Sequence, residues 1–170
     1  MPEGQALTAD PHIRLLEQGD ADECERIMSG LPHWFGIPSA IADYRRALDS
    51  LDTYVALLDG RMAGFMALKL HMDACAEIYV MAVRAECHRL GLGRSLVSKA
   101  EEWAIRRAMA YLSVKTLGPS RPDPYYAGTR EFYQAMGFLP IEETSLWGES
   151  NPCLIMVKHL ACGKVQGSTG

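Results

Sequence analysis

Apolar residues recur along this chain at two spacings, and the change of spacing marks its elements. Short apolar or alternating runs between turn formers predict strands; apolar residues returning every third or fourth position predict helices. Ile13–Leu16 is such a run and is predicted as a first strand. Asp20 followed by Glu23 has the spacing of a capping box, and Glu23–Met28 is predicted helical. Gly30 to Pro38, GLPHWFGIP, is broken by glycines and prolines and is predicted irregular. Ser39 is read as the cap of a second helix through Leu48, with Ile41, Tyr44 and Leu48 at helical spacing. Thr53–Leu58 reads as a strand, Asp59-Gly60 as a type I′ turn, and Arg61–Met72 as the returning strand. After a second turn at Asp73-Ala74, Glu77–Val83 completes a three-stranded antiparallel meander.

The second half alternates helix and strand. Leu92–Ala108 is predicted as the longest helix, with Leu92, Leu96, Ala100 and Ala104 as its apolar stripe and Arg106-Arg107 near its C-terminal end. Tyr111–Thr116 follows a helix, so it is predicted to run parallel to Glu77–Val83. Gly118–Tyr126, GPSRPDPYY, is predicted as a long loop, and Thr129–Met136 as a short helix ended by Gly137. Phe138–Ile141 and Cys153–Lys158 are the closing strands. This order gives an α/β chain of the α+β kind: a mixed, mostly antiparallel sheet of six to seven strands flanked by about four helices. It is neither a Rossmann alternation nor a barrel. Residues 1–160 form one domain in this reading, with residues 1–11 a loose polar leader and 161–170 a disordered tail.

Composition narrows the function classes. An apolar share of 48% and a charged share of 22% fit a soluble globular protein. A net charge of −4 argues against nucleic acid or an anionic membrane as the main partner. No apolar stretch is long enough to span a bilayer, and MPEGQALTADPH has no basic and apolar leader pattern. Cys24, Cys75, Cys87, Cys153 and Cys162 are odd in number and form no C-x-x-C pair. They are expected to be free thiols in a reducing cytoplasm, with neither a disulfide framework nor a zinc site, and no metal is expected. No histidine stands at a spacing that suggests an activated cysteine nucleophile.

The chemistry concentrates in Glu77 to Gly93, EIYVMAVRAECHRLGLG. An apolar strand leads through a glycine-spaced turn into a helix, whose first N–H groups are free to meet a phosphate. Glu77, at the far end of the strand, is a carboxylate placed to handle a proton. The loop admits three readings. A Walker A loop requires a Lys that is missing here. A dinucleotide fingerprint requires a third glycine where Leu96 stands. The pyrophosphate loop of acyl-coenzyme A transferases, [Q/R]-x-x-G-x-[G/A], fits with His88 in place of Gln or Arg.

A second stretch, Gly128 to Phe138 (GTREFYQAMGF), follows about 40 residues later. It resembles the A-x-x-F-Y-x-x-x-G-F motif of the GNAT N-acetyltransferase superfamily. Together the two motifs make Tyr54 to Lys158 similar to that family, which implies the GNAT fold and an acetyl-CoA-dependent transfer to an amine.

The resemblance assigns roles by position. The backbone of Met81, Ala82 and Val83 would hold the pantetheine arm and polarise the thioester. The loop from His88 through Arg89, Leu90, Gly91, Leu92, Gly93 and Arg94 to Ser95 would cradle the pyrophosphate, with the glycines allowing close approach. Tyr133 would protonate the departing thiolate, as a phenol can while un-ionised. Glu77 would draw the proton from the amine, through water. Tyr126 stands where the family has an asparagine, and Tyr125 or Tyr126 would line the acyl end. Trp34, Phe35 and Tyr44, beside His33 and together with Glu77, are the expected acceptor site, with Glu142, Glu143 and Trp147 nearby. Aromatics beside acids suit a cation.

The implied partner is a small-molecule or peptide amine. An exposed final strand offers a route to a homodimer. The competing readings are an acyl-CoA-binding sensor without turnover, an acyl group other than acetyl, and, more distantly, a nicotinamide enzyme.

Overall fold

The structure is a computed structural model in which residues 10–161 are described. The loose leader and the tail expected at the chain ends therefore lie outside the described residues, apart from their innermost positions. The elements run β1 (His12–Leu15), α1 (Asp20–Ser29), α2 (Pro38–Leu48), β2 (Asp52–Leu58), β3 (Arg61–Leu70) and β4 (Cys75–Val83). They continue with α3 (Leu92–Arg106), β5 (Tyr111–Leu117), α4 (Pro124–Ala135), β6 (Leu139–Thr144) and β7 (Cys153–His159). The strands form one seven-stranded sheet of order β1-β2-β3-β4-β5-β7-β6. The expected sheet class, strand number and helix number all hold.

The chain divides into two compact units. The first holds the described residues through Met66 together with Met81–Leu96. Within it, β1 pairs antiparallel with β2, from His12↔Leu57 to Leu15↔Tyr54. Asp59 and Gly60 have φ of 50° and 77°, the left-handed pair that a type I′ turn demands. Cys24, Ile27 and Met28 bury one face of α1, and Arg45 of α2 reaches Asp22 of α1 at 2.9 Å.

The second unit holds Ala67–Val80 and the residues from Val97 onward. Here β4 runs parallel to β5, as expected, in a ladder from Cys75↔Tyr111 to Ile78↔Val114. β5 pairs antiparallel with β7 along its whole length. β6 pairs antiparallel with β7 across a register shift between Pro140 and Glu142. The final strand β7 is therefore interior, and β6 is the edge. This corrects the expectation of an exposed final strand open to a second subunit. Leu92, Leu96, Ala100 and Ala104, the predicted stripe of α3, are all buried.

Four local expectations are also corrected. Asp20 does not cap α1; Gly19 does, at φ 95°, without a side-chain bond. The Asp20 carboxylate instead accepts from Arg14 at 2.5 Å and from the Glu17 N–H at 2.8 Å, and the Arg14 bond holds its carboxyl below the usual range. Ser39 does not cap α2, because Pro38 occupies the first helical position behind Ile37. The loop after β5 is shorter than expected: Asp123 accepts from the N–H groups of Tyr125 and Tyr126 and starts α4 at Pro124. Tyr125 and Tyr126 thus sit in the first helical turn. Met72, expected in β3, lies beyond its end and is exposed.

Candidate active site

In the first unit, β4 delivers the chain to the glycine loop. Arg84, just past the strand, is held by the carbonyls of Met62 and Ala63 and by the Glu23 carboxylate of α1. Beyond a 3-10 turn at Ala85–Cys87, the backbone turns left-handed at Arg89 (φ 65°) and Gly91 (φ 83°), and α3 starts at Leu92. Arg89 adopts φ > 0 without being glycine, which costs about 1–2 kcal/mol and constrains the loop. The N–H of Ser95 donates to Gly91 O at 3.0 Å, and its hydroxyl turns back to the same carbonyl at 3.2 Å. That leaves the N–H groups of Leu92, Gly93 and Arg94 as the first-turn donors of α3. A side-chain carbon placed on Gly91 would meet nothing within 4 Å, so the loop has open space on that side. This arrangement fits a pyrophosphate: free amides, a helix N-terminus and room for oxygens.

His88, the departure from the family pattern, is turned back toward β4. Its Nε2–H donates to the Val83 carbonyl at 2.8 Å, and its ring stands edge-on to Trp34 at 5.7 Å. Three residues expected to act at the cofactor and acceptor thus form one contact chain, Trp34–His88–Val83. Phe35 and Tyr44, from the same acceptor set, pack edge-to-face at 6.0 Å. All three aromatics are half-buried. Met81 and Val83 are half-buried and Ala82 is buried; Leu90 is exposed.

In the second unit, Glu77 sits inside β4 with 3% of its surface exposed. Its register partner on β5 is Ser113, so Lys115, two residues on, is its diagonal neighbour on the same face. Lys115 Nζ donates to Oε1 at 2.7 Å, and His71 Nε2 meets Oε2 at 2.5 Å. Sequence reasoning missed both partners. A lysine in the middle of an apolar strand was the available signal, since a charge there needs a buried partner.

Tyr133 lies on α4 with 7% of its surface exposed, edge-to-face with Phe132 at 5.2 Å and with Phe138 at 5.4 Å. Burial alone pushes its phenol well above the usual range, so it remains a proton donor at any ordinary pH. Burial, with a smaller contribution from Asp123, also raises Tyr126. Glu143, expected near the acceptor, has a structural partner: its Oε1 accepts from the Ser120 N–H at 3.1 Å, against Gly118. Glu142 and Trp147 are exposed. Burial pushes the Cys24 thiol up to about 12 and raises Cys87 and Cys153, which makes all three poor nucleophiles at neutral pH.

The fold and the two motifs define an N-acetyltransferase of the acyl-coenzyme A class. The acetyltransferase (GNAT) family model matches residues 21–138, and the chain belongs to that family. It is 26% identical, over 92% of its length and 94% of the relative's, to an uncharacterised N-acetyltransferase of Chlorobaculum tepidum. Among solved structures it resembles the ribosomal-protein-S18-alanine N-acetyltransferase of Escherichia coli, with a TM-score of 0.72, 18% identity and coverage of 92% and 97%. It also resembles a GNAT family acetyltransferase of Elizabethkingia anophelis with acetyl-CoA bound, with a TM-score of 0.66, 18% identity and coverage of 88% and 98%. Among the described residues no helix is long and apolar enough to cross a membrane, and no group of three or more His, Cys, Asp or Glu side chains could hold a metal ion.

Proposed function

We propose that the chain transfers an acetyl group from acetyl-CoA to a primary amine of a small molecule or peptide, by direct attack in a ternary complex. The observation that carries this reading is the loop before α3: a left-handed turn at Gly91 followed by the first-turn amides of Leu92, Gly93 and Arg94. Those amides hold the pyrophosphate, and Arg89 and Arg94 add positive charge at the loop. Bound acetyl-CoA supplies the acetyl thioester. The backbone of Met81 and Ala82, past the end of the β4–β5 ladder at Ile78, holds the pantetheine arm and steadies the oxyanion. Val83 contributes through the carbonyl that His88 orients. Glu77 serves the removal of the amine proton without itself having to meet the amine, and the un-ionised phenol of Tyr133 gives a proton to the leaving sulfur.

Trp34, Phe35 and Tyr44 face the acceptor, and Tyr126 borders the acyl end. The likeness of fold to an enzyme named for a ribosomal-protein alanine supports a peptide amine as one acceptor class. The free cysteines at 24, 75, 87 and 153 suit a cytoplasmic location.

Calorimetry with acetyl-CoA, followed by coenzyme A release with spermidine, lysine and an alanine-initiated hexapeptide, tests the reading. We expect micromolar-range binding and release with at least one amine. No binding would overturn the cofactor assignment; binding without release would make the protein a sensor.

A further inference from the structure

Taking a proton from an amine requires a lone pair that the amine can reach. Glu77 does not offer one: it is 3% exposed, and both carboxylate oxygens are engaged, Oε1 by Lys115 and Oε2 by His71. His71 is different. Its side chain is 35% exposed, and it stands directly after β3, where its backbone N–H donates to Cys75 O at 2.9 Å across the β3–β4 turn. With its Nε2–H given to the carboxylate, the ring carries its lone pair on Nδ1.

We propose that His71 is the group that takes the proton from the acceptor amine, that Glu77 is the residue positioning it, and that Lys115 fixes Glu77 in turn. The proposal rests on the transferase reading given above. A carboxylate behind an imidazole sets its tautomer and orientation and offsets the charge of the imidazolium that forms. Charged and titratable groups on the neighbouring strands include Lys69 on β3, which lies over the Tyr79 ring at 5.5 Å, Tyr111 on β5, stacked edge-on to His159 of β7, and Cys75 on β4, which points at the Ser113 hydroxyl at 3.6 Å. Beside them are Glu77 on β4, Lys115 on β5 and Cys153 on β7, the last sensing both Lys115 and Glu77. None of them competes with His71 for both exposure and an oriented ring.

A primary amine arriving as R–NH3+ gives one proton to Nδ1, directly or through one water. Its nitrogen pair forms the C–N bond to the acetyl carbon, and the C–S bond breaks with its electrons leaving on sulfur, which Tyr133 protonates; the nitrogen's second proton passes through water to the phenolate, leaving the neutral amide. The imidazolium returns its proton to solvent.

His71→Gln tests this. Glutamine keeps a donor for the Glu77 carboxylate but has no basic nitrogen. With whichever of spermidine, lysine or the alanine-initiated hexapeptide turns over, kcat/KM at pH 7 should fall about 100-fold. It should recover as the pH approaches the amine's own pKa, with acetyl-CoA affinity unchanged. Hydroxylamine is already unprotonated at neutral pH, and both proteins should acetylate it equally above the uncatalysed rate. An unchanged kcat/KM and pH profile would overturn the His71 role while leaving the transferase reading intact. So would an equal loss with hydroxylamine, which would give His71 a structural role only. No coenzyme A release by the wild-type protein with any amine would overturn both.

Discussion

The carbonyl oxygen of Ala82 lies 2.8 Å from the point where a side-chain carbon on Gly64 would sit. Val83 Cγ2 and Cα follow at 3.1 and 3.3 Å. The nearest obstacle is backbone, so no rotamer change relieves it. Gly64 therefore lets β3 approach β4 at the segment assigned to the pantetheine arm. Gly64→Ala is expected to cost about 1–3 kcal/mol in denaturant unfolding. It should also weaken acetyl-CoA binding measured by calorimetry, because the shift falls on Ala82 itself. A variant with wild-type stability and affinity would remove the close approach from both roles.

Gly91 presents the opposite case. Nothing stands within 4 Å of its added carbon, yet its φ of 83° lies where L residues are strained. Gly91→Ala should therefore cost about 1 kcal/mol through conformation alone and loosen the loop that presents the amides. Gly91→Asn, which tolerates left-handed backbone, should fall between alanine and wild type in both melting temperature and acetyl-CoA affinity. Identical behaviour of the two variants would show that the left-handed turn is not what the cofactor needs.

The features legible in the sequence are those fixed by near neighbours. The Asp59-Gly60 hairpin, the apolar stripe of α3 and the Gly137 stop of α4 each rest on a few adjacent residues, and each stands where expected. Gly137 has the φ of 92° that a helix-ending C′ glycine adopts. The start of α4 was legible too, in Asp123-Pro124, but proline at a first helical position looks like a breaker when its cap is overlooked. What was not legible depends on distant pairing. β7 enters between β5 and β6, and nothing within either segment encodes that order. Glu77 stands out as a carboxylate in an apolar strand, but Lys115 lies 38 residues further on, and only the β4–β5 register brings the two together. The turn into α3 was legible in its glycines, and Gly91 has the left-handed backbone that such a turn uses. His88 was found as a mismatch, and its bond to Val83 explains it as a brace across the turn.

Asp123 gives a prediction at the same helix. Its carboxylate accepts from two backbone N–H groups, those of Tyr125 at 2.9 Å and Tyr126 at 3.0 Å. Asp123→Ala should destabilise the protein by about 1 kcal/mol, and Asp123→Asn by less, since an amide oxygen can still cap. Urea unfolding of the two variants checks the order; alanine and asparagine variants of equal stability would exclude capping as the role.

Alkaline pH should expose the buried acids. Cys24 is pushed from 9.0 to about 12 by burial, and the Tyr133 phenol is raised by the same cause. Both are neutral in the folded and unfolded states at pH 7. Above about pH 9 the unfolded chain loses these protons while the folded chain keeps them. The stability they contribute is thus complete below the unfolded pKa and is lost as pH rises toward the folded one. Melting temperature should hold level from pH 7 to about 9 and then decline. Cys24→Ala should start lower, from lost packing, but decline less steeply above that point. An equal slope in the variant would take Cys24 out of the alkaline transition.

Tyr133 allows packing and chemistry to be separated at one position. Its ring is enclosed by Phe132 and Phe138, and its hydroxyl is the only part that a phenylalanine lacks. Because burial keeps the phenol protonated, the group can serve as an acid but not as a base at neutral pH. Tyr133→Phe should keep the fold and the acetyl-CoA affinity, and lower kcat about 100-fold if the hydroxyl supplies the proton to the leaving thiolate. Tyr133→Ala removes the ring as well and should cost about 3–5 kcal/mol of stability, a loss that phenylalanine would not share. Stability measured by denaturant and turnover measured by coenzyme A release then read the two roles independently. Wild-type turnover in the phenylalanine variant would leave Tyr133 as a core aromatic and send the leaving-group proton to another donor.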